Sequence, residues 1–590
     1  MLNKNEFEVL DSLRVRPNAS QREIAHEKEL SVGSVNAAVK SLIAQGFVHE
    51  GILTEKGKKE LDTHKVDNAV ILAAGLSRRL APISYEQPKG LLVVRGEVLI
   101  ERQIEQLQQA GISDITVVVG YKKELFFYLE DKYGVSLVIN EEYASRNNNS
   151  SIMAVKERLG NTYICSSDDY FTENPFRPYI WKAYYAAQFA EGITEEWCME
   201  TGAGQRIVDV TIGGADAWYM IGQVYFDRAF SQHFIEVLET EYDLPTTAPK
   251  LWEQIYVDHI DEFDMRMKKY PAGVIYEFDF LDELREFDPY FLQNINSKIF
   301  DNIEAVLKCD KNDVRDVYPL NQGLTNLSCH FRVGESEYVY RHPGVGTEEL
   351  IDRHAESIAQ RVAAELGLDD TYIYEDEAEG WKISRFVPNS RPLDAHDPEQ
   401  LKRAMEMAAE LHAQPMRVER AFDFFEESKR YEELLGGASA VDAIPGYQEM
   451  AKKAARLKCF VEADDAPVCL THNDFFYLNF LLDEDGRYYL IDWEYSGMSD
   501  YASDFGTFVV CSQLSEDEAL QALSYYFGRT PTAAEVRHNL AFVAFAGWCW
   551  YVWSLYKESR GENVGEWFYI YYKYAKKYLD KTLKLYEQAN

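Results

Sequence analysis

Two stretches of this chain set out residues suited to phosphate chemistry. "NAVILAAGLSRRLAP" (68–82) is an apolar strand running into a glycine turn. Such a turn presents backbone N–H groups and a helix start to a phosphate. Leu72, Ala73, Ala74 and Gly75 form it, Arg79 follows, and Lys89 comes ten residues later in "PKGLL". Arginine and lysine beside such a turn suit a triphosphate. Chemistry of this kind also needs a divalent ion held by hard oxygen ligands. "YICSSDDYF" places Asp168 and Asp169 just past an apolar strand, where open α/β sheets bind ligands, and "VIYEFDFLDEL" offers Asp279. Asp169 is expected to be an exposed neighbour of Asp168.

A third stretch suits a cation. "FAGWCWYVWSLY" (545–556) holds three of the chain's ten tryptophans. On a helix Trp550 and Trp553 lie about 60° apart, Tyr556 continues that face, and Trp548 points roughly the other way. "WEY" adds Glu494 and Tyr495. Aromatic walls and one carboxylate are what a quaternary ammonium requires, because it has no N–H to donate. The structural alternative is a helix packed into a helical lobe.

The first site, "LAAGLSRRLAP…PKGLL", closely resembles the nucleotidyltransferase signature LAAGxGxRxxP…PKxLL, with Ser77 standing where the second glycine usually falls. Residues 67–295 are similar over nearly their whole length to bacterial phosphocholine cytidylyltransferases. That resemblance implies a CTP site with Arg79 and Lys89 on the phosphates. It implies Asp168 and Asp279 sharing a Mg²⁺, and Asn147 and Asn148 near the base and substrate. Trp197 and Trp252 stand in family-like contexts, and either is a candidate to face a trimethylammonium group; ordinary core is the alternative for each.

"THNDFFYLNFLLDEDGRYYLIDWEY" (471–495) resembles the kinase catalytic loop H-R-D-x-x-x-x-N. The resemblance implies Asp474 as general base for a substrate hydroxyl, and Asn479 and Asp492 as Mg²⁺ ligands. "LNQGLTN" (320–326) is a polar glycine loop fit to cover ATP phosphates through Asn321, Gly323, Thr325 and Asn326. Arg341 falls where a protein kinase has its strand lysine, with Glu356 as ion-pair partner on the next helix. Arginine there resembles choline kinases, as does the W-x-x-W pair; no DFG or APE signature is present. Glu494, Tyr495, Trp550 and Trp553 then take the choline-binding roles.

The elements that must position these residues fall into three segments. Residues 1–66 read as short helices and a hairpin, resembling a winged helix-turn-helix with Ser31 to Gln45 as recognition helix. That helix carries one Lys and no Arg, and the segment has ten Lys plus Arg against ten Asp plus Glu, so DNA binding is weakly supported. Residues 67–295 alternate strands and helices, the sign of a Rossmann-like mixed α/β sheet. Residues 300–590 begin with strands and end in long helices, as a bilobal protein-kinase-like domain does. The fold class is therefore multidomain α/β.

A net charge of −37 argues against wrapping nucleic acid. The eight cysteines form no CxxC pair, so a zinc or redox motif is not expected. The longest apolar run, "LAFVAFAGWCWYVWSLY", is 17 residues, short of the roughly 20 needed to span a bilayer, and Trp and Tyr fill its middle. With a polar N-terminus, a cytoplasmic location without membrane insertion is expected; a homo-oligomer stays open. The implied function is bifunctional synthesis of CDP-choline, from choline and ATP through phosphocholine and CTP. Two rivals remain. A nucleotide-sugar pyrophosphorylase fused to a sugar or aminoglycoside kinase predicts polar residues around the acceptor. A choline- or CDP-choline-sensing regulator predicts degenerate catalytic residues.

Overall fold

The computed structural model describes residues 2–320, 326–344, 351–561 and 563–589. The chain divides into two compact units, Met1–Asp301 and Asn302–Asn590. In the first, helices Lys4–Val15, Gln21–Glu27 and Val32–Ala44 lead into a hairpin of Val48–His49 and Ile52–Leu53, then helix Glu55–Asp62. Each helix starts on a polar cap: Asn3, Ser20, Ser31 and Thr54 each accept a backbone N–H of the first turn. Phe7, Leu10, Val35, Leu42 and Leu61 close a small core, giving the expected winged helix-turn-helix. Its third helix leaves Val32 and Ile43 about half exposed, with Lys40 as its one cation. This subdomain rests on the segment after it: Trp181 Nε1 donates to Leu2 O at 3.0 Å and Arg14 covers the Tyr179 ring at 4.4 Å.

The rest of the first unit is built on a seven-stranded mixed sheet among the described residues. Its order is Arg266–Lys269, Tyr184–Thr201, Ile207–Phe226, Thr162–Ser166, Asn68–Ala73, Ile115–Val119 and Ser136–Ile139. The last four strands run parallel and carry continuous apolar runs, because both faces are covered. In register, Leu72 pairs with Ser166 and Ala73 with Val119. The strands therefore end together, and the glycine turn and the Asp168 turn emerge side by side at the sheet's carboxyl edge.

In the second unit an antiparallel sheet orders Val314–Leu320, Leu327–Val333, Ser336–His342, Lys382–Arg385 and Tyr372–Glu375. Helix Arg353–Leu366, capped by Asp352, follows the third strand. The remainder is mostly helical, centred on Ala533–Ser559. That helix is buried along almost every face from His538 to Trp553, which is why its sequence lacks an amphipathic stripe. A Cβ built on Gly547 would lie 2.7 Å from Ala575 N, so glycine there permits close approach of helix Glu566–Ala589. Among the described residues no helix is long and apolar enough to cross a membrane.

Candidate active sites

At the carboxyl edge of the first unit's sheet lies an open cavity of about 650 Å³. Leu72, Ala73, Ala74, Gly75, Lys89, Asn147, Asn148 and Asp168 all line it. Among the described residues nothing lies within 4 Å of a Cβ built on Gly75, so the turn stands clear of them. Ser77 adopts φ +49°, ψ +42°: it keeps the left-handed backbone that the glycine of the signature supplies without strain. Lys89 is 8% exposed; it pairs with Asp168 and lies 3.1 Å from Asp279, while Arg79 reaches Asp279 at 2.7 Å. Arg79 is thus held outside the cavity and its neighbour Arg78 lines it.

Carboxylate oxygens of Asp168, Glu277 and Asp279 lie within 4.8 Å of one another, and Asp168 Oδ1 has no hydrogen-bond partner among the described residues. Three hard oxygen donors at this spacing fit a divalent cation. Burial works against charge on Lys89, but Asp168 and Asp279 more than offset it and raise its pKa. Burial works against the Asp168 carboxylate too, and Lys89 more than compensates, holding it below the usual range. Glu277 is pushed up to about 8 by burial and by Asp168.

Several expectations change at this site. Asp169 is not an exposed neighbour. It is 1% exposed, because strand Asp169–Phe171 pairs with Ile275–Glu277 and sets Asp169 opposite Glu277. Burial and the Glu277 charge push its carboxyl well above the usual range. Trp252 is 2% exposed, stacked on Tyr185 at 6.0 Å and edge-on to Phe226 and Phe234; it is core whose edge meets the cavity. Trp197 is half-buried on the long hairpin and does not line the cavity, but its neighbour Glu196 lies near enough to Asp279 to feel its charge. Asn147 and Asn148 face the cavity with their amides already engaged. Asn147 Nδ2 donates to Pro249 O at 3.0 Å, and Asn148 Oδ1 accepts from Trp252 N at 2.7 Å. They clamp the loop carrying Glu253, a half-buried residue in the cavity wall whose carboxyl desolvation raises to about 7.

In the second unit the turn after strand Val468–Thr471 carries Asp474, and Asn479 Nδ2 donates to its Oδ2 at 2.9 Å and its carbonyl at 2.8 Å. Both amide hydrogens are used, leaving Asn479 Oδ1 as a ligand atom. Burial, then the charges of Asp492 and Glu494, push the Asp474 carboxyl well above the usual range. The loop is fastened from below by Asp504, fully buried on helix Ala502–Cys511, which accepts from His472 N (3.0 Å) and Asn473 N (2.6 Å). His412 Nε2 meets the same carboxylate at 2.9 Å.

Arg341 lies 2.6 Å from Glu356, 3.5 Å from Asp492 and 3.5 Å from Glu375. Lys382 on the adjacent strand joins Glu356 at 3.3 Å. Burial disfavours the Glu356 charge, but Arg341 and Lys382 hold its carboxyl far below the usual range; burial and the Glu356 charge push Glu375 up to about 8. Asn321, Gly323 and Thr325 lie outside the described residues. Asn326 Nδ2 donates to Glu494 Oε2 at 2.8 Å.

The aromatic face divides as the helical angles require. Trp550 meets Tyr495 edge-on at 5.3 Å, Trp553 at 6.0 Å and Phe424 at 5.9 Å, and neither the Trp550 nor the Trp553 Nε1 has a hydrogen-bond partner among the described residues. Tyr556 stacks on Tyr431. Trp548 packs on Tyr447, and its Nε1 donates to Ser428. Glu494 accepts from Asn326 and feels the charge of Arg341, while Tyr495 meets Trp550. Burial and Asp492 raise Glu494 to about 7.

The sequence reading missed Glu277, Glu253, Lys382, Glu375, His412 and Asp504. Each is an isolated polar residue outside any motif; only strand register or helix packing brings it to a site.

Comparison with known proteins accords with these geometries. Residues 2–49 match a winged helix-turn-helix DNA-binding model, 69–184 the MobA-like NTP transferase domain and 316–537 the phosphotransferase enzyme family. The choline-phosphate cytidylyltransferase of Streptococcus pneumoniae is 35% identical over 228 residues, 39% of this chain and 99% of that protein. The chain belongs to the choline-phosphate cytidylyltransferase family, joined to a phosphotransferase-family domain. Within this cytidylyltransferase family the chain is also similar to the 2-aminoethylphosphonate cytidylyltransferase of Lancefieldella rimae, 36% identical over 39% of the chain and 95% of that protein. Another relative, protein LicA of Haemophilus influenzae, is 29% identical over 45% of the chain and 78% of its own length.

Proposed function

We propose that this chain makes CDP-choline in two steps. The second unit phosphorylates choline with ATP, and the first transfers cytidylyl from CTP to phosphocholine, releasing pyrophosphate. The observation that carries the reading is the pairing of two intact phosphate sites in one chain, the kinase-like one beside the paired indoles of Trp550 and Trp553. In the kinase step Asp474 accepts the choline hydroxyl proton, and Asn479 holds that carboxylate in place. Arg341, fixed by Glu356, neutralises the ATP phosphates. Trp550, Trp553 and Tyr495 face the trimethylammonium.

In the second step the Leu72–Gly75 turn and Lys89 bind the CTP phosphates while an oxygen of phosphocholine displaces pyrophosphate. Asp168, Glu277 and Asp279 are the residues to hold Mg²⁺ in the first unit, and Asn479 and Asp492 in the second. When bound, the ion supplies neutralisation of phosphate charge. Glu196, near Asp279, is the side chain we assign to the phosphocholine ammonium, since Trp252 is committed to core and Trp197 lies outside the cavity. Supply of both nucleotides places the enzyme in the cytoplasm.

The 2-aminoethylphosphonate relative supports a second reading for the first unit, a phosphonate acceptor. The fused kinase unit favours the phosphate ester, because its product is then the first unit's substrate. Incubation with ATP, CTP and Mg²⁺ and a panel of choline, ethanolamine, 2-aminoethylphosphonate and sugars, read by mass, decides. CDP-choline from choline is expected; its absence, or a CMP-phosphonate as main product, refutes the proposal.

A further inference from the structure

We infer that Asn473, the residue before the proposed base, is a positioning residue that fixes the spacing between Asp474 and the aromatic wall, and so selects the chain length of the amino alcohol. The inference rests on the choline reading of the second unit and names what makes that site selective.

Asn473 is fully buried and adopts φ +66°, the left-handed backbone that glycine takes with least strain. Asparagine is one of the few other side chains to visit it, and the surroundings must then hold it there. They engage every polar atom of the residue. Its N donates to Asp504 Oδ1 at 2.6 Å, and its carbonyl accepts from Thr507 Oγ1 at 2.9 Å. Its Oδ1 accepts from Ser503 Oγ at 2.7 Å, with Thr471 Oγ1 2.9 Å away. Its Nδ2 donates to the Tyr495 carbonyl at 2.9 Å. A backbone carbonyl can only accept, so this last contact sets which way the amide points.

The main-chain contacts to Asp504 and Thr507 serve the left-handed turn, and glycine could keep both. The side chain has a different task. Its oxygen is anchored on Ser503 of helix Ala502–Cys511, and its nitrogen crosses to the segment after Asp492. The ladder between strands Val468–Thr471 and Gly497–Asp500 ends with Thr471 opposite Gly497. Past that point side chains carry the connection. His472 Nε2 lies 3.0 Å from Ile491 O, ahead of Asp492, and Asn473 reaches Tyr495 behind it.

Asp474 is the next residue along the chain from Asn473, and Tyr495 meets Trp550 edge-on at 5.3 Å. One buried amide therefore ties the carboxylate that takes the hydroxyl proton to the ring that stands with the indoles. In choline the hydroxyl carbon is bonded to the carbon that carries the ammonium, so the base and the cation wall must keep one separation. Without the amide the two segments can part, and a longer alcohol loses its disadvantage.

The test is phosphorylation by ATP of choline and of (3-hydroxypropyl)trimethylammonium, one methylene longer, by the full chain and two variants. Asn473→Gly keeps the left-handed backbone and removes the amide; Ser503→Ala keeps the amide and removes its anchor. With one net buried hydrogen bond lost, Asn473→Gly should lower the preference for choline over the longer alcohol about tenfold, with the ATP KM within about twofold. Ser503→Ala should move the preference the same way by about threefold. An amide with a merely structural role would slow both alcohols alike. A preference in Asn473→Gly within about twofold of wild type, or choline and ATP KM values rising together, overturns the inference. Should Asn473→Gly not fold, an unchanged preference in Ser503→Ala overturns it. A wild type that phosphorylates neither alcohol refutes the choline reading itself, and the inference with it.

Discussion

Glu356→Gln tests the electrostatic framework of the kinase-like site. Glu356 is fully buried, 2.6 Å from Arg341, 3.0 Å from Arg353 and 3.3 Å from Lys382. The glutamine keeps shape and one acceptor but leaves three cations around a neutral amide. Breaking a buried ion pair costs about 3–5 kcal/mol, and the retained acceptor puts this case near the lower end. At roughly 1.4 kcal/mol per tenfold, opening of helix Arg353–Leu366 should become roughly 150-fold more frequent. Hydrogen exchange of that helix's amides at pH 7 reads this directly.

Arg341, released from Glu356 and 3.5 Å from Asp492, should turn to that aspartate and raise the ATP KM. Adding Arg341→Met should restore part of the stability, since it removes a buried charge left without its partner. The pH dependence has a fixed sign. The folded Glu356 pKa lies below its unfolded value, so the wild-type advantage is full above the usual carboxylate pKa of about 4.5 and shrinks as pH falls below it. An exchange change under fivefold at pH 7 would show that the charges are hydrated, and the framework argument would fail.

Three further outcomes follow from particular residues. Ser77→Gly should stabilise the first unit by about 0.5–1 kcal/mol in thermal melts, because glycine takes the left-handed conformation without strain, and the CTP KM should not rise. Trp550→Ala or Trp553→Ala should raise the choline KM about 5–30-fold, corresponding to about 1–2 kcal/mol of cation–π attraction, with the ATP KM within twofold; equal effects on both return the pair to packing. Burial lowers the His538 pKa, but Asp500 and Asp464 more than offset it and raise it overall. Its stabilisation is therefore full below about pH 6.5 and is lost as pH rises through the raised value. His538→Gln should flatten that fall in the Tm–pH curve, and an unchanged slope contradicts the assignment.

What the sequence made legible follows its local signals. The glycine turn, Lys89, Asp168 and the Asp474–Asn479 spacing sit in contiguous motifs, and the parallel strands announce themselves as apolar runs. Arg341 and Glu356 were placed by analogy of position, and they meet. Partners brought in by register stayed hidden. Glu277 reaches Asp168 because Ile275–Glu277 pairs with Asp169–Phe171, a pairing no periodicity in "DDYF" reveals. The same pairing buries Asp169, which the sequence alone suggested was exposed. Asp504 reads as one acid on an apolar helix, and only the loop packed above it gives it a role. The helical wheel separated Trp548 from Trp550 and Trp553, yet it could not tell that Glu494 would accept a hydrogen bond from Asn326.

The central claim, two independent phosphate sites acting in series, is tested most directly by one pair of variants assayed for both half-reactions. Asp474→Ala should abolish phosphorylation of choline by ATP yet leave transfer from CTP to supplied phosphocholine within twofold of wild type. Asp168→Asn should do the reverse. Loss of both activities in either variant, with the fold intact by circular dichroism, would contradict the division of labour.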